Sequence, residues 1–232
     1  MVAVEARAIF NLSTTDELAS GVKYFFAVQP ESRARAEIAA VERRFRKSLR
    51  VSGSAIGVDS LHLALCPAGR PDGLRQPLES ALLAAASTVQ DQGFGVSLDT
   101  AMRFTAKAGQ FPLVLCADSA SSAAALNLRK SIAAAQSRLG LQVSGVSSFM
   151  PHVTLQRGPM IDAIEEAITP IHWKVREFVL IRSFFGQSRH EVIGCWPLQP
   201  EPVPEVIDLL AEMASLPESP DFFDFTDEKP PG

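Results

Sequence analysis

Two five-residue stretches constrain the fold of this chain most: Leu61-His62-Leu63-Ala64-Leu65 and Pro151-His152-Val153-Thr154-Leu155. A strand turns successive side chains to opposite faces. The three leucines of the first stretch share one face, and His62 and Ala64 share the other. In the second, Val153 and Leu155 stand against His152 and Thr154. Each stretch therefore predicts a strand with an apolar face suited to helices and a second face displaying one imidazole. The histidines are 90 residues apart. If an approximate two-fold relates the halves, they face each other across a groove.

The rest of the pattern supports two related halves. Val22–Val28 is a short apolar, aromatic run closed by Gln29-Pro30, which reads as a buried strand. Arg33–Arg50 reads as a helix, with Ile38, Val41, Phe45 and Leu49 as its stripe. Its other faces hold Arg35, Arg43, Arg44, Arg46, Lys47 and Arg50, a solvated face or an RNA contact. Leu61–Cys66 is a strand and Leu78–Gln90 a helix. Phe94–Leu98, Phe104–Ala106 and Leu113–Ala117 are short strands. A helix follows from about Ser121 to Leu139, with Ala125, Leu128, Ile132, Ala135 and Leu139 as its stripe and Gly140 as its stop. Phe149–Gln156 is a strand, and Val175–Arg182 and Glu191–Trp196 form a closing antiparallel pair. This order predicts an α+β fold rather than a doubly wound one.

Charge divides the 232-residue chain unevenly. The net −4 hides a segment, 201–232, with nine acids against one lysine, a formal −8, and a body, 1–200, at +4. A uniformly basic nucleic-acid binder is excluded; a local basic surface is not. The expected organisation is a loose lead-in over 1–21, the folded body over 22–200, and over 201–232 a short helix (Val206, Leu210 and Met213 on one side) followed by an acidic, flexible tail. Cys66, Cys116 and Cys195 have no paired spacing, which argues against a disulfide scaffold or a cysteine zinc site and reads as small core residues. No signal peptide and no apolar run of about 20 residues is present, so the cytoplasm is the expected compartment.

Two facing imidazoles suit one class of reaction. With an ordinary pKa near 6.5, one can be neutral and the other protonated near pH 7. The neutral ring takes a proton from an attacking water or hydroxyl, and the protonated ring gives one to a leaving oxygen, so phosphodiester displacement needs no metal or other cofactor. A hydroxyl beside each histidine would hold the phosphate oxygens. Thr154 fits that role, and Arg157 can add a charge-assisted contact. His172 alternates with Ile171 and Trp173 and reads as a solvated strand position. His190 reads as part of the loop before the last strand, with no role, and no spacing among these histidines supports a metal site.

These residues resemble the 2H phosphoesterase superfamily, and within it the bacterial 2′-5′ RNA ligase family, also described as RNA 2′,3′-cyclic phosphodiesterases. The likeness covers about residues 22–198. It rests on Tyr24-Phe-Phe-Ala-Val-Gln-Pro-Glu, Leu61-His-Leu-Ala-Leu, Pro151-His-Val-Thr-Leu-Gln-Arg, Val175-Arg-Glu-Phe-Val-Leu-Ile-Arg-Ser and Glu191-Val-Ile-Gly-Cys-Trp-Pro-Leu. It implies two pseudo-symmetric antiparallel sheets, helices outside and a central groove. It also implies metal-independent hydrolysis of RNA 2′,3′-cyclic phosphate ends, with 2′-5′ ligation as the reverse. On that pattern His62 is the proton donor and His152 the acceptor. The partners are RNA termini or small cyclic nucleotides, with no membrane, and the chain is expected to be a monomer.

One departure stands out. The family's first motif reads His-x-Thr or His-x-Ser, whereas position 64 is alanine, which cannot donate to phosphate. Ser60, two residues before His62 on the same expected strand face, is a candidate substitute. Three readings are open: a slower esterase, an esterase for another substrate, or a domain that binds RNA ends or nucleotides with little or no turnover. A further idea is that the acidic tail docks in the groove and competes with RNA.

Overall fold

The computed structural model describes residues 21–48, 50–71, 77–105, 109–159, 162–184 and 189–200. Contacts divide the chain into Met1–Glu201 and Pro202–Gly232. The expectations for 1–20 and for the acidic segment, including its helix and its docking, lie outside the described residues.

The elements run β1 (Val22–Val28), α1 (Ser32–Lys47), β2 (Ser54–Ala55), a 3₁₀ turn (Val58–Ser60), β3 (Leu63–Pro67), β4 (Arg70–Pro71), α2 (Leu78–Ala86), β5 (Phe94–Arg103), β6 (Phe111–Ala117), α3 (Ser119–Arg138), β7 (Leu141–Gln142), β8 (His152–Gly158), β9 (Glu165–Val175), β10 (Glu177–Phe184) and β11 (Arg189–Pro197). The expected α+β class is what the structure shows. The strand order is β11-β10-β1-β3-β8-β6-β5-β9, with β2 added beside β8, and a separate small sheet pairs β4 with β7. The named pairings are all antiparallel. Two four-strand halves, β11-β10-β1-β3 and β8-β6-β5-β9, are visible in this path. They meet at one residue pair, Leu63 opposite Val153.

Local chemistry accounts for the elements. In α1, Ala34, Ile38 and Phe45 fall on one face and are buried. Burying an Ile or a Phe contributes about 1.5–3 kcal/mol. Arg44, Arg46 and Lys47 in its last turn suit the negative end of the helix dipole. The Asp118 carboxylate caps α3 by accepting from the Ser121 N–H at 2.7 Å, worth about 1 kcal/mol. That bond holds the Asp118 pKa below its ordinary value. Gly140, at φ 80°, takes the left-handed conformation that ends the helix.

The helices cross between the halves. α1 follows β1 in chain order but lies against β8 and β9, while α3 follows β6 and lies against β3 as well as β5. One large core, including Phe26, Ile38, Phe45, Leu63, Leu128 and Val153, joins the three described helices to the sheet. Arg129, buried within α3, strengthens the join. Its guanidinium donates to the carbonyls of Val146 at 2.9 Å, Gly145 at 3.0 Å, and Leu65. It thereby ties β3 to the segment that leads into β8.

Several expectations need correction. The strand expected from Phe149 begins at His152, and Ser60 lies in the 3₁₀ turn rather than on the strand. The basic face of α1 is mostly exposed, as the solvated reading has it, and part of it is paired: Arg46 with Glu42, Arg44 with Glu166, and Arg50 with Glu166 and Asp162. Cys66 and Cys116 are buried as expected, but Cys195 is exposed. β9 forms over a stretch in which only the alternation around His172 was legible. Among the described residues no helix is long and apolar enough to cross a membrane.

Candidate active site

The face of the sheet opposite the main core carries two small apolar clusters. One joins Phe25, Ala27, Val179 and Ile181, with Ala64 against it. The other joins Phe104, Val114 and Cys116 with Met102. His62 lies against the first, its ring 5.0 Å from that of Phe25. His152 lies against the second, its ring 4.8 Å from that of Phe104.

Register sets how the two histidines meet. The Leu63–Val153 pair, extended by one step each way, puts His62 opposite Thr154 and Ala64 opposite His152. On their outer flanks Ala27 stands beside Ala64, Cys116 beside His152 and Val114 beside Thr154. The histidines are thus diagonal neighbours on one face, a relation that separates Cα atoms by about 7–8 Å. The expected proximity of His62, His152 and Thr154 is what the pairing produces.

Arg157 reaches the same region by a route that alternation does not predict. Strict alternation from His152 would turn residue 157 to the helix face with Val153 and Leu155. Between β6 and β8 the register shifts: Val114 opposes Thr154, but Leu113 opposes Gln156. Leu155 is the extra residue of a bulge, and a bulge re-aims the side chains beyond it. Gln156 is consequently 1% exposed, and Arg157 is exposed on the other side. Burial is the main cause that lowers the pKa of His62, His152 and His190, and the Arg157 charge lowers each a little further. The backbone is held there by close approach. A Cβ built on Gly158 would fall 1.7 Å from the Ser52 carbonyl oxygen, and one on Gly53 2.2 Å from that of Arg157.

The two histidines are anchored alike. Nδ1 of His62 is 2.7 Å from the Ser60 carbonyl oxygen, and Nδ1 of His152 is 2.8 Å from that of Met150. In each case the carbonyl two residues upstream accepts a hydrogen bond from Nδ1–H. The neutral ring then carries its lone pair on Nε2. Burial pushes the His62 pKa down to about 4, against the Ser60 hydrogen bond and helped by His190, His152 and Arg157. Burial also lowers that of His152. Both rings are neutral bases in the free protein at pH 7.

A third imidazole was missed. His190 is not in a loop but in β11, paired with Ser183 of β10, and its ring lies 5.2 Å from that of His62. A signal was present: the strand expected from Glu191 extends backwards two residues in the same alternation. His172 is exposed in β9, as expected. Among the described residues no group of three or more His, Cys, Asp or Glu side chains could hold a metal ion.

Comparisons with known proteins bear on the family and the fold. Residues 26–183 match the model of the 2′-5′ RNA ligase superfamily. No curated protein sequence matches significantly. Among solved structures, TT0787 of Thermus thermophilus is similar with a TM-score of 0.59 and 21% identity, over 77% of this chain and 99% of that one. E. coli LigT complexed with ATP gives 0.58 and 23%, over 76% and 98%. The same protein complexed with 3′-AMP gives 0.55 and 24%, over 76% and 98%. Likeness at these identities shows the fold.

Proposed function

This chain belongs to the 2′-5′ RNA ligase superfamily, and on that premise we propose that it hydrolyses 2′,3′-cyclic phosphodiester ends of RNA, or small cyclic nucleotides, without a metal. The observation that carries the reading is the matched anchoring of His62 and His152, diagonal across one strand pair, with Thr154 and Arg157 on the same face.

Water attacks phosphorus as His152 Nε2 takes its proton. The bond to one ribose oxygen breaks, and that oxygen receives a proton from His62 Nε2. For this His62 must be protonated, although its pKa in the free protein is about 4. The substrate supplies the remedy. A phosphodiester anion about 4 Å away favours the imidazolium by about 4 kcal/mol at an effective dielectric near 20, or roughly three pKa units. That returns the His62 pKa to near neutral pH in the complex alone, so the ring can carry the proton it donates. Thr154 and Arg157 hold the non-bridging oxygens. Similar structures complexed with 3′-AMP, ATP and phosphate are consistent with a nucleotide or phosphate ligand.

The test is hydrolysis of a nucleoside 2′,3′-cyclic phosphate in EDTA by wild type, His62→Ala and His152→Ala. Activity in the wild type and its loss in both variants is the expected result. Full activity in either variant rejects the assigned roles.

Ala64 favours a second reading, a nucleotide or RNA-end binding domain with little turnover. Removing a preorganised donor costs on the order of 10²–10³ in rate. Under this reading Ala64→Thr raises turnover, and an unchanged rate argues against the missing hydroxyl as the cause.

A further inference from the structure

The open face around Ala64 is crossed by rings. Ala27 and Ala64 form a low floor there, and the rings of Phe25, His62 and His190 are grouped with mutual separations of 5.0, 5.2 and 5.8 Å. His190 differs from the other two histidines in its hydrogen bonding. Nδ1 of His62 and of His152 faces a carbonyl, whereas Nδ1 of His190 is buried with no hydrogen-bond partner among the described residues. Proteins leave buried N–H donors unpaired less readily than acceptors. The neutral His190 ring therefore carries its proton on Nε2, the tautomer imidazole intrinsically favours. Where His62 and His152 present lone pairs at Nε2, His190 presents a donor.

We propose that His190 is the phosphate-contacting donor on the His62 side of the site, its Nε2–H taking the place of the hydroxyl that position 64 lacks. This rests on reading the open face as a phosphoester site and assigns the oxygen contact missing from it. It also gives Ala64 a purpose. A side chain larger than alanine would stand on the floor beneath the grouped rings, so the small residue and the third imidazole belong to one arrangement.

The first experiment is long-range proton–nitrogen NMR on the labelled full chain at pH 7, with His190→Gln for assignment and inorganic phosphate as the probe. The expected result is an Nε2–H tautomer for His190, opposite to His62 and His152. Its signals move on adding phosphate, and His190→Ala weakens phosphate binding about tenfold while His190→Gln, which keeps an N–H, weakens it less. An Nδ1–H tautomer, or phosphate affinity unchanged in His190→Ala, overturns the inference. The second experiment measures cyclic-nucleotide hydrolysis. His190→Ala lowers kcat/KM by about 10²-fold, and adding Ala64→Ser or Ala64→Thr to it restores at least tenfold. Failure of both double variants to recover any activity, in proteins that melt as the wild type does, also overturns it. If the wild type hydrolyses nothing yet phosphate binding depends on His190, the hydrolase reading falls and this contact stands.

Discussion

Gly158→Ala tests how tightly the bulge positions Arg157. The added Cβ would lie 1.7 Å from the Ser52 oxygen, 2.7 Å from the Ser52 carbonyl carbon and 3.0 Å from the Gly53 Cα. All three are backbone atoms, so no rotamer change relieves the overlap, and one chain must move by more than 1 Å. The weaker partner is β2, two residues long, held to β8 through Ser54–Arg157 and Ala55–Gln156 and continued by the Ile56 N–H donating to the Leu155 carbonyl at 2.8 Å. Losing two or three such bonds, each worth about 1 kcal/mol, costs about 2–3 kcal/mol. For a chain of this size that lowers Tm by about 4–12 °C. The functional cost is larger, because displacing a contact group by about 1 Å can cost 10²-fold. Thermal melts and kcat/KM on a 2′,3′-cyclic nucleotide would be measured beside Gly57→Ala, where an added Cβ meets nothing within 4 Å. Melting and activity both unchanged in Gly158→Ala would refute the packing of this corner. A large fall in Tm with activity within threefold would refute the link from the bulge to Arg157.

Three other outcomes are expected. The His62 pKa is about 4 folded and near 6.5 unfolded, so the unfolded chain binds more protons between those values; stability is full above pH 6.5 and falls by up to about 3 kcal/mol as pH drops to 4. Urea midpoints at pH 7 and 4.5 should separate less in His62→Asn than in wild type, and equal separations would count against a buried neutral ring. Gln156 is buried with neither side-chain polar atom hydrogen-bonded among the described residues, so Gln156→Met should raise stability by about 1–3 kcal/mol; a lower melting temperature would show that the amide has a partner. A thiol reagent should modify Cys195 far faster than Cys66 or Cys116 because it is exposed and they are buried, burial pushing all three thiols up, Cys195 to about 11 and the other two to about 12; the rates are read by intact mass.

The histidine strands were legible because their faces differ in chemistry residue by residue, as in Leu61–Leu65. Two of the described helices, α1 and α3, were legible from their stripes and α2 from its run of Ala and Leu, with ends off by a few residues. β9 was not: it is an edge strand, paired among the described residues with β5 alone, and Pro170 within it breaks the strand pattern in the sequence, a residue an edge position accommodates. The face of Arg157 depends on Leu155 bulging against β6, which the local sequence of β8 does not encode. His190 meets His62 from across the sheet, and no local period reports a contact between residues so far apart in the chain. The third imidazole was hidden for that reason, while His62 and His152 were plain.

The crossed helices and the place of β1 also bear on how the chain acquires its fold. β1 is made first among the described strands but lies between β3 and β10, and β10 is made near the end. β3 waits for α3 to cover it, and β8 and β9 must appear before α1 has its surface. Neither half can complete its core during synthesis of that half alone. Contacts of such long sequence separation slow folding and leave apolar strands exposed in the meantime. A nascent chain halted before β8 should therefore remain protease-sensitive and bind chaperones, and protection should arrive in one late step as β10 takes its place beside β1.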